Sequence, residues 1–190
     1  MIRLVVALPA EARPLIRRFG LEWVDDGELT VWRAERISLV VSGVGRKAAV
    51  AAVATLAAGE GPRECAWLNV GIAGHRTLAV GEVVLAHKVV DAGGGRAWYP
   101  PLVFEPPCGT ATVTTVDRPE TGYPKETVYE MEAAGFCSAA ARFSSAELIQ
   151  VVKVISDNAA APPERLTARR VEELIEGATE TIALIAEQTT

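Results

Sequence analysis

One stretch constrains this chain more than any other: Gln150-Val151-Val152-Lys153-Val154-Ile155, stopping abruptly at Ser156-Asp157-Asn158. Val and Ile are stiff at χ1 and suit a pleated, packed surface, so the run predicts a strand buried in a sheet. Ser, Asp and Asn bond nearby backbone and favour turns and helix caps. The stretch therefore sets a carboxylate, Asp157, at the mouth of a buried strand. Open α/β sheets bind their ligands there. Taken alone, a helix cap is the plainer reading of Asp157, and the rest of the chain decides between the two.

Similar strand-to-junction patterns occur earlier. Ile2–Leu8 reads as a central strand, followed by Pro9 and a helical segment from Ala10 to Phe19 with Ala12, Leu15, Ile16 and Phe19 on one side. Proline suits the first helical turn, where its missing N–H has no partner anyway. Glu11 thus falls at a strand-to-helix junction, near free backbone N–H groups. Leu29–Arg36 and Ile37–Val41 predict two strands, the second ending in Ser42-Gly43-Val44-Gly45 before an Ala/Val-rich helix from Arg46 to Ala58. Ala66–Val70 predicts a strand that runs into a second glycine turn, Gly71-Ile72-Ala73-Gly74. Glycine lets the backbone turn sharply and approach a ligand. The spacing lacks the third glycine of a dinucleotide fold and the lysine of a P-loop, which excludes both.

Val83–Val90 predicts a strand, Asp91–Gly109 a loop region with a short strand at Leu102–Phe104, and Thr110–Val116 another strand. Asp117–Lys125 is a polar connection. Thr127–Tyr129 predicts a short strand leading into Glu130-Met131-Glu132, then a helix from Ala133 to Phe143. Thr167–Glu187 is one amphipathic helix with Val171, Leu174, Ile175, Ala178, Ile182 and Ile185 on its buried stripe. Strands alternate with helices, so the expected fold is a three-layer α/β/α sandwich around a twisted, mixed and mainly parallel sheet, in one domain spanning 1–190.

The formal net charge is −5 with both signs scattered, so no nucleic-acid partner is expected. The longest uncharged small-apolar run, Ala48–Ala58, falls well short of the roughly 20 residues that span a bilayer, so no membrane partner is expected either. Three widely spaced cysteines, Cys65, Cys108 and Cys137, argue against a disulfide framework or zinc site and for a reducing compartment. The apolar start is too short for a signal peptide, and the expectation is a soluble cytoplasmic protein.

Three carboxylates end apolar strands: Glu11, Glu132 with Glu130 beside it, and Asp157. Burying an unpaired charge is costly, so acids in these places need partners or a ligand. Several carboxylates beside glycine-rich backbone suit a polyhydroxyl ligand, because they accept hydrogen bonds from sugar hydroxyls. A carboxyl held in its acid form also protonates a leaving group. No Ser-His-Asp or Cys-His spacing supports acyl transfer, and His75 and His87 are not spaced as a metal pair.

The order Ala7-x-x-x-Glu11, Ser42-Gly43-x-Gly45, Asn69-x-Gly71-x-Ala73-Gly74, Val80-Gly81-Glu82-Val83-Val84, Glu130-Met131-Glu132-Ala133 and Ile155-Ser156-Asp157 resembles the purine nucleoside phosphorylase / uridine phosphorylase superfamily. The nearest branch by resemblance is the methylthioadenosine/S-adenosylhomocysteine nucleosidases. The resemblance implies a nucleoside phosphorylase-like fold, a homodimer or higher homo-oligomer, no metal or cofactor, and cleavage of an N-glycosidic bond in a small nucleoside. It implies that Asp157 donates a proton to the purine N7 and that Glu132 grips the ribose hydroxyls over Met131. It further implies that Glu11 handles the attacking water and that Ser156 fixes the Asp157 loop. Ser42, Gly43, Gly45, Gly71, Ala73 and Gly74 would line the sugar side, with Glu130 among the binding groups.

This chain departs from the pattern in four places. Asn69 stands where phosphorylases carry an arginine, and Ile72 where a small polar group is usual. Lys153 replaces the arginine that nucleosidases carry before the Ser-Asp pair, and the segment from Asp91 to Glu130, which builds the base site, is short. A phosphate dianion needs cationic or several N–H partners, so hydrolysis is favoured over phosphorolysis. A phosphorylase using phosphate as co-substrate, with Arg46 or Lys47 or a partner's arginine holding it, stays open. So does a catalytically weak nucleoside-binding member. Trp98, Tyr99 and Tyr123 are the candidates for stacking on the base.

Overall fold

A computed structural model of the chain describes residues 1–25, 29–59, 64–163 and 166–190. Its strands are β1 (Ile2–Val6), β2 (Glu22–Asp25), β3 (Thr30–Arg33), β4 (Ile37–Val41), β5 (Ala66–Gly74), β6 (Val83–Asp91), β7 (Ala97–Trp98), β8 (Gly109–Thr115), β9 (Val128–Glu130) and β10 (Ile149–Asp157). The helices are α1 (Pro9–Phe19), α2 (Arg46–Ala58), α3 (Ala133–Ala140) and α4 (Ala168–Gln188).

The sheet is mixed. β1 lies between β4 and β5, parallel to both, and β5 is parallel to β10. β10 turns antiparallel onto β6, which runs parallel to β8, and β8 runs parallel to β9. A single antiparallel pair, Gly74 with Tyr129, joins β9 back to β5. Strands β5, β10, β6, β8 and β9 therefore close into a ring, while β1, β4, β3 and β2 extend from β5 as an open wing. Ring closure leaves these strands without the bare backbone edge that invites aggregation.

Two apolar layers cover the sheet. On one side Ala49, Ala52, Val53 and Leu56 of α2 and Ala133, Phe136 and Ala140 of α3 pack with Val5, Val40, Trp67 and Val151. On the other, Ala12 and Leu15 of α1 and Leu174, Ile175, Ala178 and Ile182 of α4 pack with Leu4, Val6, Leu68 and Val154. β10 is buried along its whole length, as its unbroken apolar run demands. The predicted stripe of α4 is its buried face. Arginines on α1 meet glutamates on α4, as in Arg17 with Glu172 at 2.8 Å and Arg18 with Glu180 at 2.9 Å. Exposed pairs of this kind are screened by water and contribute little to stability.

The structure corrects several sequence boundaries. The predicted second glycine turn is strand: β5 runs straight through Gly71 and Gly74, because β10 pairs with it along that whole length. The short strand of the 91–109 region lies at Ala97–Trp98, pairing with the end of β6, and not at Leu102–Phe104. β2, unread in the sequence, is a short edge strand on β3. Helix α3 ends at Ala140, three residues before Phe143.

Gly135 of α3 packs against the first residue of α2, and a Cβ there would overlap the Arg46 backbone carbonyl. Overpacking a rigid contact costs about 1–3 kcal/mol. Gly135→Ala should lower the unfolding free energy by about that much in a urea titration, despite alanine's better helix propensity.

Candidate active site

The three acids singled out in the sequence meet. Glu11, Glu132 and Asp157 line one cleft of about 310 Å³, together with Met131, Ala73, Gly74, Ser156 and Glu130. That is the lower end of the range for small-molecule sites. Leu8, Val44, Ile72, Val116, Tyr129 and the loop residues Pro119, Glu120 and Thr121 complete much of its wall.

Each acid is held by a different device. Glu11 lies in the first turn of α1 and turns back toward β1. Its Oε2 accepts from the N–H groups of Ala7 and Leu8 at 2.9 and 2.8 Å, and Oε1 accepts from Ile72 N–H of β5 at 2.9 Å. A carboxylate also suits the positive end of a helix. Glu132 stands at the N-cap position of α3, and its carboxylate accepts from Gly45 N–H at 2.7 Å. Gly45 has φ +103°, a backbone open to glycine, and that geometry presents its N–H. Asp157 ends β10, with Ser156 Oγ donating to its Oδ1 at 2.5 Å and the Tyr123 hydroxyl donating to its Oδ2.

Beneath the cleft is a buried ion pair. Lys153 Nζ lies 2.9 Å from Glu130 Oε2 and donates to Asn69 Oδ1 at 2.8 Å. Asn69 in turn donates to the Val5 carbonyl at 3.2 Å. Glu130 is fully occupied: Thr115 Oγ1 donates to Oε1 at 2.5 Å, and the N–H groups of Glu132 and Ala133 donate to Oε2 at 3.0 and 2.8 Å. Its part is to fix the Glu132 backbone, which leaves Glu132 as the carboxylate available to a ligand.

The electrostatics follow from this. Burial pushes Glu130 up, but the Lys153 ammonium and the Thr115 hydroxyl outweigh it and hold the carboxyl below its ordinary range. Burial lifts Glu132 to about 7, with Lys153 opposing and Glu130 adding to the rise. Burial also raises Glu11, against its three backbone N–H partners and Lys153. Burial would lower Lys153, but Glu130 and Glu132 hold it above its ordinary value.

The other predicted residues support the site from behind. Ser42, Gly43, Gly45 and Gly71 do not line the cleft. Ser42 Oγ bonds the carbonyls of Val6 and Gly43, and Gly71 lies under Glu11 and Lys153, where a Cβ would sit 3.0 Å from Glu11 Oε1. Trp98 and Tyr99 line a separate hollow with Cys137 and Ile149. Tyr123 binds Asp157 by its hydroxyl. Among the described residues the aromatic ring on the cleft wall is Tyr129, whose sequence pattern predicts only a strand.

Solved structures share this architecture. A 5′-methylthioadenosine/S-adenosylhomocysteine nucleosidase from S. pneumoniae, solved with a transition-state inhibitor, matches with a TM-score of 0.79 at 21% identity, over 98% of each chain. A 5′-methylthioadenosine nucleosidase from Arabidopsis thaliana matches with a TM-score of 0.80 at 18% identity, over 100% of this chain and 95% of that one. The chain has the nucleosidase fold. A futalosine hydrolase from Helicobacter pylori shares that nucleosidase fold too, with a TM-score of 0.73 at 15% identity over 98% and 97% of the two chains. As a sequence, the chain matches no protein-family model and no curated protein. Among the described residues no group of three or more His, Cys, Asp or Glu is placed to hold a metal ion, and no helix is long and apolar enough to cross a membrane.

Lys153→Met should cost about 3–5 kcal/mol, because it strands Glu130 as an unpaired buried charge. Lys153→Met with Glu130→Gln should recover part of that loss in chemical denaturation. The lifted Glu132 sets a second expectation. Its folded form binds a proton between pH 4.5 and about 7 while the unfolded chain does not, so it withdraws stability as pH rises through that window. Glu132→Gln should therefore be more stable than the native chain by about 1–3 kcal/mol more at pH 7 than at pH 4.5.

Proposed function

We propose that this protein hydrolyses the N-glycosidic bond of a purine or purine-like nucleoside. The convergence of Glu11, Glu132 and Asp157 on one cleft carries the reading. Asp157 gives its proton to the base N7. The C1′–N9 bond then breaks with its electron pair going to the base, which leaves as a neutral heterocycle. The sugar passes through an oxocarbenium-like state. Glu132 accepts hydrogen bonds from the ribose hydroxyls, with Met131 beneath the ring. Water adds to C1′ and loses a proton to Glu11. A carboxylate lifted by burial is a better base than an exposed one, and Glu11 is lifted in that way.

Water is favoured over phosphate as the nucleophile because no lysine or arginine is among the described residues lining the cleft. A phosphate dianion would be repelled by these carboxylates with no lysine or arginine among the described lining residues to offset them. Ile72 sits on the same wall and brings no hydroxyl, so backbone N–H groups alone orient Glu11. The reading includes a homodimer or larger homo-oligomer working without metal or cofactor in a reducing, cytoplasmic setting. The exposed Val44, Val50, Tyr99 and Val103 offer apolar surface for self-association, and the three cysteines are free.

A panel of purine nucleosides should give free base and free sugar at equal rates with and without phosphate. Sugar 1-phosphate among the products would make the protein a phosphorylase, and tight nucleoside binding without base release would make it a binding protein. Asp157→Asn should abolish turnover, by about 10²-fold or more, while circular dichroism stays native. Ionised Glu132 accepts from hydroxyls more strongly than its protonated form, so KM should rise as pH falls below about 7 and flatten in Glu132→Gln. A pH-independent KM would remove Glu132 from the sugar site.

A further inference from the structure

The acid at the end of β10 has a partner that belongs to no motif in the sequence. Tyr123 lies in the connection from β8 to β9, whose Pro119, Glu120 and Thr121 form part of the cleft wall. It is 2% exposed, and its hydroxyl donates to Asp157 Oδ2 while Ser156 holds Oδ1. Both oxygens of the proposed proton donor are therefore met by O–H groups.

Three independent features bring the phenol there. Tyr123 has φ +42°, a left-handed backbone that bulky residues rarely adopt. Its ring packs at 6.3 Å from that of Tyr129. Gly74 leaves the space: a Cβ there would lie 2.5 Å from Asp157 Oδ2 and 2.8 Å from Tyr123 Cε1. A strand glycine, an uncommon backbone angle and a buried phenol meet on one carboxyl oxygen.

We propose that Tyr123 is a positioning residue for the proton-donating carboxyl, fixing Asp157 Oδ2 and stabilising the anion left once the proton has gone to the base. The proposal rests on the glycosidase reading above. In that step the Asp157 O–H bond breaks, an N7–H bond forms, and the electron pair stays on Asp157. Donated hydrogen bonds from Tyr123 and Ser156 then favour the charged carboxylate. A carboxyl whose anion is stabilised is a stronger acid and passes its proton on more readily. Solvent returns a proton to Asp157 as Glu11 releases the one taken from water.

Removing the phenol takes a donated hydrogen bond from the anion and disfavours it relative to the protonated carboxyl, so an activity limb set by this carboxyl moves to higher pH. Other ionisable groups surround the acid. The His75 backbone N–H donates to the Asp157 carbonyl, and its ring lies 3.8 Å from Glu126. Glu11, Glu120, Glu130 and Glu132 share the cleft, Lys153 pairs with Glu130 below it, and Tyr129 lies alongside. Tyr123→Phe leaves all of these in place and keeps the ring, so a shift reports the hydroxyl.

The test compares Tyr123→Phe with the native chain by base-release kinetics across pH and by carbon-13 NMR titration of the Asp157 carboxyl, assigned by its loss in Asp157→Asn. The basic limb of kcat/KM and the carboxyl midpoint should both move up by about one pH unit. At the native optimum kcat should fall about tenfold with KM within about twofold. Ser156→Ala should move both midpoints in the same direction. Midpoints that stay put in Tyr123→Phe overturn the proposal, and a change in melting temperature or KM alone would reduce Tyr123 to packing. If the native chain releases no base from any nucleoside, the glycosidase reading fails and takes Tyr123's place in the reaction with it. The carboxyl titration would still decide whether the phenol stabilises the Asp157 anion.

Discussion

One buried ammonium group makes this acidic cleft possible. Lys153 lies within β10 with Glu130 at 2.9 Å, and both side chains are almost wholly shielded from water. An isolated buried carboxylate carries a penalty of several kcal/mol, and a well-placed cation offsets much of it. The pair does more than cancel charge. Glu130 also accepts the N–H groups of Glu132 and Ala133, so the ammonium, through Glu130, sets where α3 begins. Glu132 is the residue at that start. The ion pair thus places one step away from itself the carboxylate that we propose binds the sugar.

The same cation divides the carboxylates into different states. Lys153 gives nearly all its hydrogen bonding to Glu130 and Asn69, which leaves Glu11 and Glu132 with long-range attraction only. Glu130 is accordingly held low, while Glu132 rises to about 7 and Glu11 rises with it. An arginine fork in this place would reach two acids at once; a lysine is a point charge and serves one well. Groups whose environments push their protonation apart are the ones that take distinct acid and base roles. The division here comes from the surroundings: the ammonium and the Thr115 hydroxyl outweigh burial at Glu130, while burial prevails at Glu132 and Glu11.

Much of this was readable from residue order. Apolar runs ending in Glu11, Glu132 and Asp157 identified both the strands and the rim that bears the acids, because a continuous β-branched run has few other uses. The α4 stripe was equally plain. What escaped was whatever depends on neighbours distant in the chain. Gly71 and Gly74 read as turn residues, since glycine is usually needed for backbone freedom. Here their value lies in the missing side chain, which admits Glu11, Lys153, Asp157 and Tyr123 beside a straight strand. Tyr123 sat in a polar, proline-flanked connection with no periodicity, so nothing local linked its hydroxyl to an acid 34 residues away in sequence. The cleft-facing ring of Tyr129 is not legible in sequence, because a three-residue strand gives too little alternation to assign a face.

The ring closure explains why these distant residues need not search for one another. Gly74 is in register with Tyr129 on one side and with Asp157 on the other, so one glycine on β5 aligns an aromatic wall, an open slot and an acid in a single row. Backbone pairing fixes that row to within the tolerance of a sheet, which is tighter than a loop achieves. The irregular segment from β8 to β9 then walls part of the cleft and drops Tyr123 into the slot that Gly74 keeps open. A loop held at a buried phenol, a ring contact and a left-handed residue has little freedom to do otherwise. The rigid parts of the site are therefore supplied by strands, and the loop that joins them is pinned at Asp157, the acid we propose as proton donor.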